Sequence, residues 1–315
     1  MNLRRFAACL VILITIVCAS PVAAADWSVP HDFPTIQEAI DSPEVADGDR
    51  IVVGPGSFAG ARVTKSVQIQ GVGRTVISSG PVHPSGLVQG FRLFDGSDGT
   101  TIGHLRFEVD LPIINATFNH VDNVTVTQNT LVNPVQGISD WLGSGWTITH
   151  NDIVGLRTRC GGGIAILIGD YSGGAVTGNV VAHNRISGTV HVSPTDCGGY
   201  GATGVVLYAD FRWGAAGGQD LAFNRVIENA ISLTSDTPAV VDVVAIELTE
   251  AEDPDPSIDV IHDNAIGFND LRGTEGQLAL TPSALGDSND ISRNLGENRG
   301  HGLRPAAFGL GGYVY

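Results

Sequence analysis

Four acidic residues end apolar runs, and three of them are followed at once by an aromatic side chain. Asp140 precedes Trp141, Asp170 precedes Tyr171, Asp210 precedes Phe211-Arg212-Trp213, and Glu250 ends the fourth run. An aromatic face beside a carboxylate suits a sugar, which stacks on the ring while the acid accepts hydroxyl protons. Two such acids can also share proton transfer at a glycosidic bond. In a lyase-like reaction Arg212 withdraws a proton or neutralises a uronate, while the acids hold Ca²⁺. The expected catalytic residues are therefore Asp170, Asp210, Glu250 and Arg212. Asp140, Trp141, Tyr171, Phe211 and Trp213 are the expected substrate contacts. The structural alternative is that the acids end strands in solvated turns and the aromatics fold back over the chain.

The elements that must carry these residues repeat. Ile164-Ala165-Ile166-Leu167-Ile168-Gly169-Asp170 aligns with Gly204-Val205-Val206-Leu207-Tyr208-Ala209-Asp210 and with Val244-Ala245-Ile246-Glu247-Leu248-Thr249-Glu250. An earlier, shorter copy ends at Asp140. In this alignment the four acids form one column, and Asn184, Asn224 and Asn264 form a second; Asn129, Asn151 and Asn294 stand in similar settings. Alternate residues such as Ile164, Ile166 and Ile168 can point inward. Further short runs, Trp146-Thr147-Ile148-Thr149, Ala175-Val176-Thr177 and Thr189-Val190-His191-Val192, supply second and third strands of each coil. Three short strands per coil, each paired with its counterpart one coil on, describe a parallel β-helix in which the coil itself is the crossover. Asparagine tolerates left-handed backbone angles and its amide can bond along a stack, so that column reads as scaffold.

Composition agrees with an all-β solenoid. The chain has 315 residues, 43% hydrophobic and 16% charged, with 41 glycines; glycine without a collagen period fits many tight turns. Near the beginning, Thr35 and Glu38 form a capping box opening a short helix whose Ile36, Ala39 and Ile40 share a face. Such a helix would cover the open end of the first coil.

The run Phe33-Pro34-Thr35-Ile36-Gln37-Glu38-Ala39-Ile40-Asp41, with Gly48-Asp49-Arg50-Ile51-Val52-Val53-Gly54-Pro55-Gly56 and Lys65-Ser66-Val67-Gln68-Ile69-Gln70-Gly71, resembles the opening of pectin-lyase-like β-helix proteins. The Asn-rich coils resemble parallel β-helix repeats, including those of periplasmic copper-processing accessory proteins. The resemblance implies a single-stranded right-handed parallel β-helix over nearly all of the mature chain. It leaves function open, because lyases, hydrolases, esterases, epimerases and non-catalytic proteins share this fold.

Arg4 and Arg5, the apolar stretch Phe6 to Val17, and the small residues before Asp26 read as a cleaved signal peptide over 1–25, leaving a β-helix domain over 26–315. The expected location is secreted or periplasmic, as a monomer with no membrane-spanning segment. Cys160 and Cys197, both followed by Gly-Gly, are the cysteines left after processing, and export allows them a disulfide. The net charge of −16 argues against nucleic acid, which an acidic surface repels. Gly300-His301-Gly302, with Arg304, lacks the paired aspartates that polygalacturonase-like catalysis needs. His262 and Asp263 could contribute to a metal site but sit beside a charged, proline-broken loop. His150 and His183 precede column asparagines and read as turn residues. Two functions follow: a polysaccharide-binding or polysaccharide-processing β-helix, or a non-catalytic surface or periplasmic repeat protein serving as adhesin, spacer or assembly accessory.

Overall fold

The computed structural model describes residues 23–115, 120–159, 162–171, 173–192, 201–211, 218–238, 242–251, 259–280 and 288–296. Most of the expected leader, Cys160, Cys197, Arg212, Trp213, His301 and Arg304 lie outside the described residues. Within them the chain is a parallel β-helix. A ten-stranded sheet runs from Asp26–Val29 to Asp290–Ser292, an eight-stranded sheet from Ala61–Val63 to Gly276–Leu280, and a seven-stranded sheet from Gly56–Ala59 to Ala230–Ser235. The ladders that build all three are parallel. One coil shows the path: Thr147–Thr149 in the ten-stranded sheet, Asp152–Thr158 in the seven-stranded, Gly163–Asp170 in the eight-stranded, then back at Val180–Ala182. Ala175-Val176-Thr177 is not an equivalent of Thr147–Thr149; it belongs to a fourth, three-stranded sheet with Gln219–Ala222 and Ile261–His262.

The β-branched runs form this core because each strand presents one side to the interior. In the ten-stranded sheet a single file, Ile51, Ile69, Ile102, Val126, Ile148, Val181, Val226 and Ile266, stacks coil upon coil and is fully buried. Each such side chain contributes about 1.5–3 kcal/mol on leaving water, and the next coil supplies the cover. The open end of the first coil is closed by the helix Ile36–Asp41. Thr35 Oγ1 accepts the Glu38 amide at 3.1 Å, and Ile36, Ala39 and Ile40 are buried.

The asparagines form two ladders rather than one. Asn129, Asn151, Asn184, Asn229, Asn269 and Asn294 make the first, each donating its backbone and side-chain amides to the Oδ1 of the next at about 3 Å. Asn179, Asn224, Asn264 and Asn289 make the second. The two stand at opposite ends of the strands Val180–Ala182, Arg225–Ile227 and Ala265–Gly267, so Asn184 is not in the column of Asn224 and Asn264. The residue before a ladder asparagine turns through a left-handed conformation, as His150, His183, Phe223 and Phe268 do with φ of 56 to 59°. His150 and His183 are thus turn residues.

The eight-stranded sheet bends within each strand. Gln136, Ile164, Thr203 and Val244 form one file; Ile138, Ile166, Val205 and Ile246 form the file two residues on; the ladder skips the residue between. There a Cβ on Gly204 would stand 2.5 Å from the Ala245 carbonyl oxygen, so glycine alone fits at 204 without a backbone shift. The bend turns Ile164 out of the main core: it packs with Leu111, Leu167, Tyr171 and Val206 in a second apolar cluster, while Ile166 and Ile168 remain inside.

Candidate functional site

The expected flank is the end of the eight-stranded sheet. Its strands Gln136–Trp141, Gly163–Asp170, Gly201–Asp210 and Asp242–Ala251 carry all four acids. They are not one column. Asp140 stands opposite Ile168, Asp170 opposite Ala209, Ala209 opposite Glu250, and Asp210 opposite Ala251. Ile168 and Ala209 belong to the main core, so Asp140, Asp170 and Glu250 share the interior side of the sheet. Strand alternation places Asp210, one position beyond Ala209, on the opposite face.

Asp140, Asp170 and Asp210 are fully buried. Asp140 Oδ1 accepts the Gly143 amide at 2.8 Å and Asp170 Oδ1 accepts the Gly173 amide at 2.9 Å. An aspartate bonding three residues ahead closes a tight turn, and both acids occupy that role where the strand leaves the sheet. Gly143 leaves no room for a side chain: a Cβ there would lie 2.3 Å from Asp140 Oδ1 and 2.4 Å from Trp146 Nε1. Burial pushes the Asp140 carboxyl well above the usual range, the Gly143 bond opposes this, and the nearby Asp122 charge adds to it. Its Oδ2 has no hydrogen-bond partner among the described residues. An acid buried and turned inward is poorly placed to meet a polymer.

The aromatics are packed as well. Trp141 is 3% exposed and Tyr171 and Tyr208 no more than 1%. Trp141 meets Tyr171 edge-on at 5.4 Å and Tyr208 at 5.9 Å within the second apolar cluster. Phe211 is half-buried against the main core. Edge-to-face contact of this kind supports packing; it leaves no open ring face for a sugar to stack on.

One acid that the repeat alignment passed over lies on the outward side. Glu247 stands opposite Val206 and Ala279, Val206 being part of the second cluster. It is 3% exposed, and Thr203 Oγ1 donates to its Oε2 at 2.9 Å. Burial raises its carboxyl to about 8, against the opposing Thr203 bond. The signal was a lone glutamate inside the apolar run Val243 to Leu248.

His262 pairs with Asp263 at 2.9 Å and Asp220 at 3.3 Å, and the Asp263 hydrogen bond is the main cause holding its imidazole above the ordinary range. Among the described residues no three His, Cys, Asp or Glu side chains converge to hold a metal ion. No described helix is long and apolar enough to cross a membrane.

No protein-family model matches the chain. A stretch of 151 residues, 44% of the chain, is 26% identical to a cell surface glycoprotein of Methanothermus fervidus; the chain spans 22% of that protein's length.

Proposed function

We propose that this chain is an extracellular β-helix repeat module of a cell surface, a rigid spacer or adhesion element whose flank acids build turns. The observation that carries the reading is the burial of Asp140 and Asp170, each engaged with the amide three residues ahead. The similarity to a cell surface glycoprotein of M. fervidus supports the location. Labelling intact producing cells with an antibody to the chain should succeed without permeabilisation. Labelling only after permeabilisation overturns the location. Turnover of any polysaccharide that disappears in Asp170→Asn at an unchanged melting temperature overturns the non-catalytic role.

A second reading, polysaccharide processing, draws on Glu247 alone. A carboxyl that keeps its proton near neutrality on an outward file has the property required of a general acid. Glycosidases pair such an acid with a second carboxylate, whereas the file neighbours of Glu247 are Val206 and Ala279. Reducing-end release from a polysaccharide panel, abolished by Glu247→Gln, would favour this reading over the first.

A further inference from the structure

The eight-stranded sheet opens with two arginines in direct register, Arg62 opposite Arg92. Both guanidinium groups lie over the ring of Phe94, at 4.3 and 5.1 Å from its centroid. Arg92 continues to Ile114 on the next strand, a member of the second apolar cluster, so the pair belongs to the sheet's outward side. Arg62 is exposed and Arg92 half-buried. Loss of water, and then the Arg62 charge, holds Arg92 below the ordinary arginine range.

Like charges directly opposite on neighbouring strands destabilise a sheet, and this chain has no shortage of acids to relieve them. It carries 33 acidic residues against 17 basic ones. Arg50, Arg106, Arg157, Arg185 and Arg272 each hold a carboxylate: Asp26, Glu108, Asp110, Asp152 and Asp270. Among the described residues none pairs its carboxylate with Arg62 or Arg92. Two uncompensated forks, kept side by side on one aromatic ring, are the arrangement that an incoming anion completes.

We propose that Arg62 and Arg92 form a binding site for an oxyanion, the sulfate, phosphate or carboxylate group of a ligand lying on the outer side of the eight-stranded sheet. The guanidinium fork matches such groups with two parallel N–H donors. Stacking on Phe94 fixes both forks at modest entropic cost, and the partial burial of Arg92 strengthens its attraction for an anion. The site stands whether or not the chain is displayed on a cell surface, so its test is separate from the labelling experiment.

The test uses the mature protein at low ionic strength, with sodium sulfate, sodium phosphate and a polygalacturonate oligosaccharide as probes in titration calorimetry and thermal melts. Wild type should bind at least one probe, melt higher in its presence, and weaken as sodium chloride is added. Arg92→Gln and Arg62→Gln should each weaken binding about tenfold or more and lose the probe-induced shift. Without probe, both variants should melt at or above wild type, because the like-charge contact is gone. Tighter binding of the oligosaccharide than of the inorganic ions assigns the anion to a glycan, and the reverse assigns it to a free ion. Absence of binding to all three probes, or binding undiminished in Arg62→Gln/Arg92→Gln, overturns the site.

Discussion

Glu247→Gln should make the protein more stable at pH 8 and leave it nearly unchanged near pH 5. The wild-type carboxyl moves from an ordinary 4.5 to about 8 on folding, because the sheet and the second apolar cluster strip its water. Below the lower value both folded and unfolded chains hold the proton, and Glu247 contributes no pH dependence. Between the two values the unfolded chain releases the proton while the folded chain keeps it, so stability falls as pH rises. Above about 8 both forms are ionised and the slope ends. The span corresponds to about 5 kcal/mol in full, and about 3 kcal/mol of it has gone by pH 7. Glutamine keeps the acceptor that Thr203 Oγ1 uses at 2.9 Å and removes the titration. Urea unfolding of both proteins from pH 5 to 9 gives the difference curve directly, and subtraction cancels every other titrating group. Thr203→Val removes the bond that favours the ionised form and should extend the wild-type slope to higher pH. Parallel wild-type and Glu247→Gln curves over the whole range would refute the burial argument.

Three further outcomes follow from turns and ladders. Asp140→Asn should change stability by less than about 1 kcal/mol near neutrality, since a neutral side chain still accepts from Gly143, whereas Asp140→Ala should cost about 1–3 kcal/mol; equal losses in the two urea curves would count against the turn role. Gly143→Ala should destabilise by more than about 2 kcal/mol, because its Cβ meets Asp140, Trp146 and the Val121 carbonyl within 2.5 Å; a melt matching wild type refutes that packing. Asn184→Ala should cost about 2–4 kcal/mol, leaving the Asn151 amides and the Ile148 carbonyl without their partner, while a substitution at exposed His183 should stay within about 0.5 kcal/mol.

The solenoid was legible because its signals are local and repeated. A β-branched run gains a buried face only by stacking, and an asparagine that follows a left-handed residue bonds through its amide to the next coil, so both mark each coil. The number of ladders was harder to read. Asn179 and Asn184 lie at the two ends of one short strand, and a single spacing joins Asn184 to the wrong partner. Loops of unequal length enter at different corners, so successive ladder steps run 22, 33, 45, 40 and 25 residues. The two-fold ambiguity follows from that.

The site failed to show itself for a sharper reason. In a strand, a shift of one residue moves a side chain to the other face. The repeat places Asp170 level with Asp210; the sheet pairs Asp170 with Ala209. That single residue separates an outward row of carboxylates from the inward, turn-closing Asp140 and Asp170. Residue type does not resolve it, because an aspartate that binds an amide three residues ahead and one that binds a sugar hydroxyl look identical in a chain of letters. The outward file can be recognised only after the bend beside Gln136, Ile164, Thr203 and Val244 is placed, and the bend depends on a backbone approach that leaves nothing in the sequence but a small residue. On that corrected face the charged groups among the described residues include Asp210, Glu247 and the Arg62–Arg92 pair. Chemistry on this molecule should therefore be sought along its outward side, with Asp140 and Asp170 left to hold the turns.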